Sequence, residues 1–199
     1  MSKVSSLHFQ IGFRTIWIRL DYTEVMSDPR FPIGPLPALP DAERVPATLH
    51  DLANSMAQAV TDWQATLQAL TPVDLTRTYR PASWTVQQLA HHTADAHLHG
   101  LNRLRHGLTQ DDFQIQPFDQ SAWLTLADAA LPVSVAVQLL EPLNAHWVAL
   151  LRGTPAGQFD RQVVHPTEGR QDLWQLAVKH GWHLRHHLAH VRLALGEQQ

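Results

Sequence analysis

"LHDLANSMAQAVTDWQATLQAL" occupies residues 49–70. Its large apolar side chains, Leu49, Leu52, Met56, Val60, Trp63, Leu67 and Leu70, recur at intervals of three and four. That spacing lays them along one stripe and predicts a long amphipathic helix over about 42–70. Pro46 is compatible with it only near the first turn, where its missing N–H has no helical partner to lose. Upstream, "RFPIGPLPALP" (30–40) is too rich in proline for a helix and reads as an extended lead-in. Downstream, "TPVDLTRTYRPAS" (71–83) is a loop.

The same period returns three more times. A second helix opens at Thr85, whose side chain can cap the first turn while Gln88 reaches back, and runs to about Leu108. "TQDDFQIQPFD" (109–119) is polar and irregular, and "QSAWLTLADAA" (120–130) predicts a short helix. Pro132 opens a further helix that ends at Gly153, with Val135, Leu139, Leu143, Trp147 and Leu150 as its buried stripe and a kink at Pro142. Residues 154–170 connect, with a short extended piece at 162–165, and the last helix spans about 171–195 before Gly196. Four long helices and one short one, with little strand signal, give an all-α bundle.

Composition removes several function classes. The formal net charge is -3 with histidine neutral, so there is no basic excess to attract nucleic acid or anionic lipid. The chain has no cysteine. That excludes disulfides, zinc–cysteine sites and a cysteine nucleophile, and it fits a cytoplasmic protein. No run of about 18 apolar residues occurs, so no membrane span is expected. Arg14, Arg19 and Asp21 interrupt the N-terminal apolar run, which is therefore no secretion signal. Residues 1–25 read as a strand-like extension or as sequence upstream of a start at Met26, with 26–199 as a single domain.

Of fourteen histidines, ten fall within 91–106 and 180–190, on two different long helices. Neutral imidazole is the commonest transition-metal ligand. Histidines four apart share a helical face and can reach one ion. In the last helix two pairs meet that test, His183 with His187 and His186 with His190, and spacing alone does not choose between them. In the second helix His92 and His99 share a face that His91 does not. The stretch is not a zincin, because no H-E-x-x-H occurs, and the absence of any Glu-x-x-His pair disfavours a di-iron carboxylate bundle. P-loop, G-x-G-x-x-G and G-x-S-x-G patterns are also absent.

Five stretches together carry a family resemblance: "FPIG" (31–34), "WTVQQLAHHTADAH" (84–97), "PFDQSAW" (117–123), "WVALLR" (147–152) and "WHLRHHLAH" (182–190). The chain resembles the YfiT-type metal-dependent hydrolases of the DinB-like superfamily over about 30–195. The resemblance implies an up-down-down-up four-helix bundle with an additional short helix, often as a homodimer. It also implies three metal-ligating histidines: His92, eight residues after Trp84, then His183 and His187. His186 and His190 then lie outside the ligand set. Thr93, where the family often has leucine, is a departure beside a ligand.

Three neutral imidazoles leave an ion its charge and an open fourth position, as in catalytic zinc sites. Zinc is the expected divalent metal, with nickel, iron and manganese as alternatives. Members of the family include S-transferases that use a low-molecular-weight thiol of the bacillithiol type. A chain without cysteine must borrow its thiol, so the composition is compatible with that activity. Hydrolysis of a small amide or ester is the alternative, and a non-enzymatic metal-binding stress protein is a third reading. Asp95 is the candidate partner for a ligating imidazole N–H. His97 is the candidate general base or substrate contact, and Trp182 the candidate pocket lining.

Overall fold

The computed structural model describes residues 28–197 and, before them, the paired backbone of β1 (Gln10–Ile11) and β2 (Arg14–Thr15). The expectation of a start at Met26 lies outside the described residues.

Helix α1 spans Pro46–Gln68 with Pro46 in its first turn, so the proline starts the helix that the apolar period suggested from 42. Asp41–Glu43 forms a separate 3-10 turn. The buried stripe is Leu49, Ala53, Met56, Val60, Trp63 and Leu67. Helix α2 spans Val86–Thr109. Its capping box is formed on both sides: the Gln88 N–H donates to Thr85 Oγ1 at 3.2 Å, and the Thr85 N–H donates to Gln88 Oε1 at 2.9 Å. Helix α3 is only Gln120–Trp123, capped by Asp119, and a 3-10 turn at Ala127–Ala130 completes the stretch read as one short helix.

Helix α4 runs Val133–Gly153 and continues through Pro142. Its buried stripe corrects the sequence reading. Ala136, Val137, Leu140, Leu143, Trp147 and Leu151 face the core, while Val135 and Leu139 are 42% and 39% exposed. Stepping back from Trp147 strictly by fours advances the stripe by about 40° each time. By Leu139 and Val135 that drift has carried it off the core face.

Helix α5 spans Leu173–Leu195. Asp172 caps it by accepting from the Gln175 N–H, and Gly196 ends it at φ +83°. It starts two residues later than read because the preceding residues are spent in a strand. β4 (Gln162–His165) is the extended piece expected there; β3 (Phe113–Gln114) and β5 (Gly169–Asp172) were not anticipated. β3 pairs parallel to β4, and β4 pairs antiparallel to β5 with His165 opposite Gly169.

Cross-helix contacts give the topology. Gln64 meets Glu141 and Asn54 meets Arg152, so α1 and α4 are antiparallel. Leu52 lies against Gly181 and Asp62 against Arg192, so α1 and α5 are parallel. His91 bonds the carbonyl of Leu131, just before α4, and the carbonyl of His97 accepts from Trp147 within it, so α2 and α4 are parallel. Gly100 meets His180 and Gly107 meets Leu173, so α2 and α5 are antiparallel. The bundle is therefore up-down-down-up. The sequential helices α1 and α2 sit across from one another, each packed on α4 and α5. Parallel α2 and α4 need a crossover along the whole bundle, and residues 110–132, with β3 and α3, supply it. No helix among the described residues is long and apolar enough to cross a membrane.

Candidate metal centre and its cavity

The antiparallel pair α2/α5 brings the two histidine-rich stretches together. His92 lies about two turns beyond the α2 cap, and His183 and His187 occupy one face of α5. Their Nε2 atoms converge: His92 to His183 at 3.1 Å and His187 to His183 at 3.0 Å. Four ligands at about 2.0–2.1 Å around a tetrahedral ion stand roughly 3.3 Å apart. The observed spacing is close to that edge. It also poses a problem that a cation solves. The single Nε2 of His183 faces two others, and one proton can serve only one of those contacts. An ion at the centre accepts all three lone pairs.

Burial keeps these imidazoles in the neutral, ligating form. It holds His92 down to about 4. It holds His183 and His187 well below the ordinary value of 6.5, with the neighbouring histidines acting in the same direction. Trp84 covers the His92 ring at 4.6 Å. The Nδ1 of His187 points away from the triad and lies 3.2 Å from Nδ1 of His190. His190 in turn stacks on Tyr79 at 3.9 Å. The competing pair of the sequence reading thus adjoins the triad through His187. His186, His187 and His190 are also close enough to share an ion, and His187 belongs to both groups, with its Nε2 toward His183 and its Nδ1 toward His190.

A cavity of about 390 Å³ opens beside His92 and His183. Phe118 and Pro117 of the crossover form one wall, and His180, Arg103, His165, Glu168 and Lys179 the others. His180 approaches so closely because residue 100 is glycine: a Cβ there would lie 2.2 Å from the imidazole. Both ring nitrogens of His180 are buried with no partner among the described residues.

The other sequence candidates fall elsewhere. Asp95 does not face the triad; it sits half-buried in a small pocket with His91, Trp123 and Asp128, and burial and Asp128 raise its carboxyl. His97 is 1% exposed in the core, stacked on Trp147 at 5.6 Å, and does not line the cavity. Trp182 stacks on His186 at 4.0 Å, away from the cavity lining. One residue rotates the helical direction by about 100°, so neighbours of a ligand in sequence face other elements. Sequence reasoning passed over Arg103, His180 and Lys179. Helical spacing carried a signal for two of them: Lys179 and His180 precede His183 by four and three residues, on its own face.

The profile of the DinB superfamily matches residues 68–191. A relative from Halalkalibacterium halodurans, named "Putative metal-dependent hydrolase", is 35% identical over 173 residues, covering 84% of this chain and 97% of that protein. One of the same name from Oceanobacillus iheyensis is 33% identical over 168 residues, covering 84% of this chain and 96% of that one. Among solved structures, YfiT from Bacillus subtilis is described as "a probable metal-dependent hydrolase with an unusual four-helix bundle topology". It superposes with a TM-score of 0.74 at 28% identity, covering 85% of this chain and 99% of that one.

Proposed function

The chain belongs to the DinB superfamily, and from that premise we propose that it is a metal-dependent enzyme that joins a low-molecular-weight thiol to a small electrophile. The observation that carries this reading is the convergence of three neutral imidazole nitrogens at 3.0 and 3.1 Å beside a cavity of about 390 Å³. His92, His183 and His187 would hold a divalent ion, zinc by preference, whose charge acidifies a thiol or water bound beside it.

The chain's own side chains do the rest. Trp84 and Phe118 flank the His92 ring, at 4.6 and 6.5 Å between centroids. His180 lines the cavity beside His183, a position that His97 does not share. A thiol needs little more than the ion, because its own pKa, about 8.5, lies far below that of free water. Water bound to such an ion is also brought to a pKa of about 7, so hydrolysis differs in needing a group placed to manage its protons. Among the described residues the only carboxylate lining the cavity is Glu168, and its Oε2 already accepts from Lys179 and Gln171 at 2.6 Å each.

Hydrolysis of a small amide or ester is the second reading, favoured by the names of the relatives. The test is an assay of the zinc-loaded protein with a panel of cellular thiols and a generic electrophile, beside ester and amide substrates. Thiol consumption that needs His92 and His183, and is lost in His92→Ala, is expected. Ester or amide turnover without thiol consumption would replace the first reading with the second. Native protein without stoichiometric metal would remove both.

A further inference from the structure

Resting on the reading of this cavity as the substrate site, we propose that its polar wall is a carboxylate-binding subsite whose donors are Arg103 and the Nε2–H of His165. Arg103 lies on α2 about three turns beyond His92, at the same cavity. Its Nε is buried without a hydrogen-bond partner among the described residues. Other arginines of the fold, such as Arg44, Arg77, Arg161 and Arg170, have carboxylates within ion-pair distance; for Arg103 none is found among the described residues. The nearby Glu168 forms no ion pair with it; its Oε2 accepts from Lys179 and Gln171 instead.

His165 presents a defined face. Its Nδ1 accepts from the backbone N–H groups of Thr167 and Glu168, at 3.3 and 3.2 Å, in the turn between β4 and β5. A neutral imidazole that accepts at Nδ1 carries its proton on Nε2. That N–H lies 3.8 Å from Glu168 Oε1, too far for a hydrogen bond. The hairpin turn therefore selects the donor tautomer and leaves the donor unspent. The wall contains Arg103 and Lys179 against Glu168, one positive charge in excess, so a single carboxylate completes it. The guanidinium fork matches carboxylate geometry in a way an ammonium does not. The substrate class is a small molecule with its reacting group at the histidine triad and a carboxylate at the other end.

The test uses the full chain stripped of metal, so its outcome is independent of the proposed chemistry. Succinate, its neutral diamide and inorganic phosphate are titrated calorimetrically. Succinate is expected to bind and the diamide not to. Arg103→Gln weakens succinate by about tenfold or more, and Arg103→Lys restores only part of that. Circular dichroism verifies the fold of each variant, and Arg103→Lys carries the test if Arg103→Gln does not fold. Equal binding of succinate and diamide, no succinate binding, unchanged affinity in the variants, or phosphate preferred to succinate would overturn the proposal. A separate arm loads the protein with cobalt and adds 2-mercaptoethanol, which has no carboxylate. Absence of a thiolate-to-cobalt absorption band there counts against thiol transfer and leaves the succinate result standing.

Discussion

At the scale of single residues, the proton on His187 decides whether the triad can work. A neutral imidazole has one donor and one acceptor nitrogen. To offer a lone pair at Nε2, His187 must carry its proton on Nδ1, and that atom lies 3.2 Å from Nδ1 of His190. His190 is held in place by its stack on Tyr79. With its own Nδ1 unprotonated, it accepts that proton and favours the ligating tautomer of its neighbour, as partners of metal-bound histidines commonly do. His190→Phe keeps an aromatic ring against Tyr79 and removes the acceptor. Chelator competition is expected to show metal affinity lower by about 10–100-fold. Unchanged affinity would mean that His190 only fills space. The three-residue step from His187 to His190 was visible in the sequence. Its meaning was not, because spacing places side chains on a face and says nothing about which nitrogen holds the proton.

At the scale of elements, the site depends on how closely α2 and α5 approach. A methyl group at position 100 would meet the His180 ring at 2.2 Å, so the ring must swing away or the helices must part. Overpacking of this kind costs about 1–3 kcal/mol, more than the gain of up to about 1 kcal/mol from replacing glycine by alanine in a helix. Gly100→Ala is therefore expected to lower stability in urea titrations, and it displaces a ring that lines the cavity. Gly153, near the end of α4, has open space beyond it, so Gly153→Ala is the control and should be neutral or slightly stabilising. A Gly100→Ala protein as stable as Gly153→Ala would contradict the close approach. The four long helices were legible because their apolar period is a property of each segment alone. β3 and β5 were not. Gln114, Arg170 and Gln171 become strand residues only by pairing with β4, a partner no local pattern names. Asp95 and His97 lie off the cavity for a related reason. Helical rotation turns one toward α3 and the other into the core against Trp147, and only the packed helices show which face looks onto the cavity.

At the scale of the whole molecule, the buried imidazoles make stability depend on acid. His97 is the clearest case, because it lies in the core outside the candidate metal centre. Burial lowers it from 6.5 to about 4, with Asn144 opposing the shift. His186 and His190 are also held down to about 4. Between those two values the unfolded chain binds protons that the folded chain refuses, so stability must fall as the pH falls from about 6.5 toward 4. For His97 alone, 1% exposed, the full difference corresponds to roughly 3 kcal/mol. A bound ion adds stability by mass action, and it too needs unprotonated histidines, so its contribution shrinks over the same range. Urea unfolding of the metal-free protein should therefore show midpoints that fall from about pH 7 to about pH 5 with little change of slope. His97→Leu, apolar and of similar bulk, should flatten that dependence. A midpoint that holds constant across the range in the wild-type chain, or a dependence as steep in His97→Leu as in the wild type, would remove His97 as its source and shift attention to the histidines of α5.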